Sequence, residues 1–249
     1  MIERERDRAI GIILRPRAVA RLCAACITVL LLAHLASEVA RFGFGHEYMM
    51  GLSEKVYLGA EATIPNWFST IVLLACGMAL FAIAAMSRRY AAHWWGLGVI
   101  FVALSLDESA ALHDLSAPFF TGTIVRLART LGGPFTGLQY KPGYAWLIPG
   151  TLVTAGVGLA YLPFVATLPR LARLQFVAAG AIYVGGAAGF EAIGGWYSGL
   201  HGSKNLTFLT FLTIEETLEM VGASFFLYAL LAYAQREFGE IRIQLCKGS

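Results

Sequence analysis

The sequence predicts an all-α, polytopic membrane protein: a six-transmembrane-helix bundle with short interfacial helices on the outer side. Three observations predict it. Of 249 residues, 57% are hydrophobic and 14% are charged, whereas soluble domains carry about 25% charged residues; the chain lacks the polar surface to cover itself in water. Its apolar residues fall into runs near the roughly 20 residues that cross ~30 Å of hydrocarbon. Its basic residues divide unevenly between the connections, which orients the bundle.

The elements follow in order. Residues 1–17 are dense in mixed charge and read as a cytoplasmic N-terminal segment. The first run, 18–40, is too long for a signal-peptide core and no A-x-A site follows it, so it is kept as a helix. The second, 68–86, starts after Pro65-Asn66 and stops at Arg88-Arg89. The third, 95–115, is interrupted by acids in its later half. The fourth, 144–164, ends before Pro169-Arg170. The fifth, 174–197, is glycine-rich, with Ala181, Gly185 and Gly189 at the spacing of four that lets helices approach closely in lipid. The sixth, 206–234, is the longest. Residues 18–234 thus form a single transmembrane domain, and 235–249 a cytoplasmic tail.

With the N-terminus inside, the inner segments hold Arg4, Arg6, Arg8, Arg15, Arg17, Arg21, Arg88, Arg89, Arg170, Arg173, Arg236, Arg242 and Lys247. The outer ones hold Arg41, Lys55, Arg126, Arg129, Lys141 and Lys204, a division of 13 against 6. An excess of this kind marks cytoplasmic loops. Both termini are therefore expected in the cytoplasm, in a bacterial-type inner or plasma membrane. Two outer connections carry helical patterns. In 47–61, Glu47, Glu54 and Glu61 recur every seven residues with apolar surface elsewhere, which suits a short helix in the membrane interface. Residues 117–143 hold a second such helix or a lid.

A net charge of +3 is too small to suggest nucleic acid as a partner. Cys23, Cys26 and Cys76 lie in apolar runs and Cys246 near the C-terminus, so the C-x-x-C at Cys23 reads as small packing residues. Asn205-Leu206-Thr207 fits a glycosylation triplet but abuts the membrane and is taken as accidental. His46, His93 and His201 are boundary residues with no assigned chemistry.

Function is read from the residues that do not belong in lipid. An ionisable group within a span costs roughly 2.5–3.5 kcal/mol on insertion scales. Helix one has His34 and Glu38; helix three has Asp107, Glu108, His113 and Asp114; helix five has Glu191; helix six has Glu215, Glu216 and Glu219. At ~1.5 Å per residue Asp107, Glu191 and Glu219 lie ~18–26 Å above the inner ends of their helices and Glu38 approaches the outer end of helix one, a common level in the outer half of the bilayer. Glu215, Glu216 and Glu219 share about 100° of one helix face. Glu108 and His113 point elsewhere unless the third helix unwinds near Ser109. His34 and Glu38, in the last turns of their helix, read as solvated or packing residues.

No Lys or Arg lies at this depth in helices three, five or six, so the carboxylates must take up protons or bind cations. Carboxylates with an imidazole suit iron, manganese or zinc, and glutamates from several helices are a known way to build a metal site. Asp107, His113, Glu191, Glu215 and Glu219 are the expected divalent-metal ligands, with Glu108 or Glu216 as general base.

Ser105, Asp107 and His113 on a mid-chain helix resemble the alkaline-ceramidase superfamily of membrane hydrolases. That resemblance implies a zinc site completed by two histidines on a late helix. Helix six offers Glu215, Glu216 and Glu219 and no histidine, so the likeness covers about ten residues and stops there. No Walker loop, H-E-x-x-H or G-x-S-x-G points to another enzyme class. The leading expectation is a metal-dependent enzyme acting on a membrane lipid or other lipophilic substrate near the outer leaflet. The alternatives are a proton- or cation-coupled transporter or channel using the same carboxylates, and a noncatalytic subunit of a membrane complex.

Overall fold

The computed structural model describes residues 11–45, 51–131, 145–239 and 242–244. Nearly all of them are helical. A three-residue strand β1 (Gly11–Ile13) leads into α1 (Pro16–Phe44), followed by the short α2 (Leu52–Val56), α3 (Ile64–Met86), α4 (Ala91–Ala110), α5 (Leu112–Leu131) and α6 (Leu147–Thr167). Next, α7 (Arg170–Val184) continues through a π-helical stretch, Gly185–Phe190, into α8 (Glu191–His201). Then come α9 (Leu206–Phe238) and β2 (Arg242–Gln244). β1 and β2 pair antiparallel, with Ile12 opposite Ile243, so the residues just before α1 meet those just after α9.

Five helical stretches are long and apolar enough to cross a membrane: α1, α3, α6, the continuous α7–α8 rod and α9. Leu22, Val29, Leu32, Leu152 and Leu159 are more than half exposed, a broad apolar surface that hydrocarbon would cover. α4 is not among the five, being made more polar by His93, Asp107 and Glu108.

Most of the core lies among α3, α4, α7 and α9. Leu73, Cys76, Leu80 and Ile83 of α3 pack with Trp94 of α4, Ala172 and Phe176 of α7, and Ala229 and Leu230 of α9. α3, the second apolar run and one without acids, is central to this core. Its small Gly77 and Cys76 permit close approach: a Cβ at Gly77 would lie 2.9 Å from Val102 Cγ2. α6, the other acid-free helix, buries only Leu147 and Phe164 and packs its backbone extensively against no other helix.

Local chemistry moves several expected boundaries. α3 starts at Ile64, because Pro65 suits the first helical turn and Thr63 caps it, its Oγ1 accepting the Asn66 N–H at 3.3 Å. The expected third helix, 95–115, is two helices. Ala111 has φ 46°, a left-handed value costly for any residue with a Cβ, and the chain turns there. The interfacial helix expected over 47–61 is α2 alone; Glu47 lies outside the described residues, as do Lys141 and the side chains of Asp114 and Arg129. Asn205 caps α9, accepting the Phe208 N–H at 2.9 Å.

The glycine stripe is also corrected. A Cβ added at Gly185 or Gly189 would meet nothing within 4 Å, whereas one at Gly186 would lie 2.7 Å from Glu215 O and one at Gly222 2.6 Å from Tyr183 N. Gly186 and Gly222 are the close-approach glycines where α7 and its π stretch meet α9. The four-residue spacing fails because a π-helical stretch bonds i to i+5 and rotates the following residues off the 3.6 period.

Candidate functional site

α6 leans across the front of the bundle and touches it near its two ends. At one end Phe164 is buried against Trp94, Tyr90 and His93. At the other, Trp146 Nε1–H donates to Glu191 Oε1 at 3.0 Å, and its ring lies 4.7 Å from that of His113. Between these contacts a cavity of about 870 Å³ separates α6 from α4, α7 and α9.

The cavity has two chemically different halves. From the Phe164 end its walls are Leu97, Ile100, Phe101 and Leu104 of α4, Tyr161, Leu162 and Val165 of α6, Phe176 and Val177 of α7, and Phe226 of α9. At the other end stand Glu61, Asp107, Glu108, His113, Glu191, Glu215, Glu216 and Glu219, with Asn66 and Trp146. Every expected ligand (Asp107, His113, Glu191, Glu215, Glu219) and both expected bases, Glu108 and Glu216, border this one space. No Lys or Arg among the described residues lines it.

The turn at Ala111 explains how neighbouring positions reach one cavity. α4 ends there and α5 restarts at an angle, so His113 folds back toward its predecessors. Asp107 receives both the backbone N–H of His113 at Oδ1 (2.7 Å) and His113 Nδ1 at Oδ2 (3.0 Å). The acid thereby caps the start of α5 and sets the imidazole's orientation. The condition under which Glu108 and His113 could share a site, an unwinding near Ser109, is met two residues later, at Ala111.

Glu108 is held from α3. Asn66 Nδ2–H donates both to its backbone carbonyl (2.7 Å) and to its Oε1 (3.2 Å). One turn earlier, the Ser105 hydroxyl donates to Thr70 O at 2.8 Å. On the far wall the π-helical stretch turns the rod so that Ala187, Ala188 and Glu191 follow Tyr183 and Val184 along the lining.

α9 supplies the densest charge. Glu219 is half-buried and faces the charges of Glu216, Glu108, Glu215 and Glu191. Tyr183 stands within electrostatic reach of Glu219, Glu108, Asp107 and Glu216. Among the described residues nothing donates a hydrogen bond to the carboxylates of Glu215, Glu216 or Glu219, and no group of three or more His, Cys, Asp or Glu is arranged to hold a metal ion.

A family model described as Domain of unknown function (DUF8692) matches residues 22–233. The chain belongs to that family. No curated protein and no solved structure matches it. The matched span includes every residue of the cavity wall.

Helix one does not join the site. His34 is fully buried, with Nδ1 accepting the Leu58 N–H (3.4 Å) and Nε2 facing Thr213 Oγ1 (3.2 Å). The Leu58 N–H demands a lone pair at Nδ1, so the ring hydrogen sits on Nε2. Glu38 is also buried and pairs with Arg41 at 3.4 Å. Both are packing residues rather than solvated ones, and the common level of acids is built by α4, the α7–α8 rod and α9. His93 and His201 stack on Phe164 and Tyr197; His46 lies outside the described residues. Cys23, Cys26 and Cys76 are free thiols.

Asn66, Trp146, Tyr183 and Glu61 were not anticipated. Asn66 carried a usable signal, a side-chain amide inside the first turn of an apolar helix. Trp146 carried none, because tryptophan near a span's end is ordinary at a membrane interface.

Proposed function

We propose that this protein is a six-span membrane enzyme that takes a lipid-like amphiphile into the α6 cavity, its chain along the apolar half and its polar end among the carboxylates. The observation that carries this reading is the division of one elongated cavity into an apolar shaft and an acidic head. From Leu97 to Glu108 the α4 wall runs about 16 Å at ~1.5 Å per residue, enough for an extended alkyl chain. Pockets that enclose single small ligands fall at roughly 300–1,000 Å³, and this one, at about 870 Å³, is within that range.

The same division argues against ion or proton passage. A relay needs ionisable or hydrated steps across the whole thickness. Below the carboxylates the wall offers only the hydroxyls of Thr151, Thr154, Tyr161 and Tyr183 among apolar residues. Chemistry, rather than passive storage, is favoured by the Asp107–His113 pair: an imidazole oriented by a carboxylate is a standard acid–base arrangement. Glu108, held by Asn66, and Glu216 are the further acid–base groups of this proposal.

Two features support α4 as the sixth span. Its 20 residues extend ~30 Å, the thickness of the hydrocarbon. Pairing of β1 with β2 brings both chain ends to one face, which an even number of crossings satisfies and five would not. The excess of arginines at that face makes it the cytoplasmic one. In a cysteine-free background, a cysteine at Glu54 is expected to react with an impermeant thiol reagent in intact cells and one at Arg88 is not; reaction at Arg88 overturns this orientation.

The functional test is turnover. Purified protein incubated with a total membrane lipid extract is expected to deplete one amphiphile and yield a product by mass spectrometry. Asp107→Asn and His113→Gln should slow this by about 10²–10⁴-fold, the usual contribution of a positioned acid–base group. Retention of no amphiphile and no change in the extract would overturn the proposal. Elemental analysis after chelator-free extraction decides whether iron, zinc or manganese joins Asp107, His113, Glu191, Glu215 and Glu219.

A further inference from the structure

Among the described residues no Lys or Arg lines the acidic head of the cavity, and its chemistry narrows what can sit there. Seven carboxylates border the cavity, those of Glu61, Asp107, Glu108, Glu191, Glu215, Glu216 and Glu219, against one imidazole and no Lys or Arg among the described residues. Asp107 is engaged by His113, Glu108 by Asn66 and Glu191 by Trp146. Glu215, Glu216 and Glu219 receive no hydrogen bond from the described residues; all three are half-buried and border the empty space. Carboxylates crowded at the edge of an apolar cavity are costly unless something in the cavity supplies donors or positive charge.

We infer that the missing donor is the ligand's own head group: the cavity takes a single-chain amphiphile carrying an ammonium group without a neighbouring anion. This rests on the amphiphile reading of the cavity. An ammonium head brings N–H donors to three carboxylates on one face of α9, and the rings of Tyr183 and Trp146 border the same space, where aromatic faces attract such cations. A phosphate or a zwitterionic phosphodiester would set its anion against seven carboxylates, with no guanidinium or lysine ammonium among the described lining residues to receive it. A compact divalent ion needs ligands gathered on one point, and among the described residues no such group exists. The apolar shaft beneath the head accounts for the chain.

The test compares heads on one chain. Wild-type protein in phosphatidylcholine nanodiscs is titrated with hexadecylamine, hexadecyltrimethylammonium, hexadecanol and hexadecyl phosphate, with binding corrected against empty nanodiscs and followed by tryptophan fluorescence. The amine is expected to bind at least about tenfold more tightly than the alcohol, the gain of a charge-assisted contact, and the phosphate more weakly than the alcohol. Glu219→Gln and Glu216→Gln should each remove most of the amine's advantage over the alcohol. The ligand series on the wild type stands even if a variant fails to fold. Equal affinity for amine and alcohol, preference for the phosphate, or stoichiometric divalent metal in the purified protein would each overturn the cationic head while leaving the amphiphile reading intact. Binding of none of the four would overturn both.

Discussion

α3 and α6 look alike as sequences and behave as opposites in the fold. Both are acid-free apolar helices of spanning length, 23 and 21 residues. α3 buries nine residues, Pro65, Ser69, Val72, Leu73, Cys76, Gly77, Leu80, Ile83 and Ala84. α6 buries two, Leu147 and Phe164. The difference shows what an apolar helix is for when its outer surface faces hydrocarbon. Lipid and protein are equally apolar, so close fit rather than hydrophobicity selects a helix's neighbours. Gly77 and Cys76 let α3 seat against α4 and α9. Trp146 just before α6 and Tyr161 and Phe164 on it are large, and they prop the helix away from the bundle and leave the space that receives the carboxylates.

The largest expected effect separates the two helices directly. Leu80→Ala, at a fully buried site of α3, should cost about 2–5 kcal/mol through the cavity it leaves. Leu152→Ala on α6, with the residue 68% exposed, should change stability by less than about 0.5 kcal/mol. Thermal unfolding in a fixed detergent measures both, and equal losses would break the contrast. Phe164→Ala sharpens it. This is the anchor at the C-terminal end of α6, and its removal should cost about 3–5 kcal/mol and bring α6 nearer to lipid, read as increased lipid quenching of Trp146.

A second pair probes close approach. Gly222→Ala would place a Cβ 2.6 Å from the Tyr183 backbone nitrogen, and overpacking of this kind costs about 1–3 kcal/mol. Gly158→Ala, in open space on α6, should be neutral or stabilising by up to about 1 kcal/mol, because alanine is the better helix former. Loss of stability at Gly158 would mean that α6 packs more tightly than its two-ended contact implies. The smallest effect is expected at the α4–α5 turn. Ala111→Gly relieves a left-handed conformation that costs roughly 1–2 kcal/mol with a Cβ, offset by about 0.4–1 kcal/mol from the freer unfolded chain. The net is a slight stabilisation with turnover retained.

Much of this was legible from residues alone. The apolar runs gave spans that match five helical stretches within a few residues, because hydrocarbon thickness dictates helix length. The sixth run, 95–115, was misjudged at its acidic end: a hydropathy run does not reveal a left-handed alanine, and Ala111 has no turn chemistry to betray it. The residues at the acidic end of the cavity stood out for a physical reason as well. Seven carboxylate and imidazole positions stood out because each is expensive in lipid, and each borders the same cavity. Glu38 met the same criterion and failed, since Arg41 three residues on was enough to hold it.

What the sequence by itself determined is the solvent this chain is built for and the number and length of its apolar runs. These depend on composition and on the rise of a helix, which are local quantities. Tertiary structure alone decided which acids share a space. Turning His113 back onto Asp107 needed the break at Ala111, and carrying Glu191 into the lining needed the π-helical stretch. Holding Glu108 needed Asn66 from another helix, and the space itself needed α6 to stand off on Trp146 and Phe164. Each is a contact between residues distant in the chain or a rotation of a few tens of degrees, and neither leaves a periodic mark in a sequence.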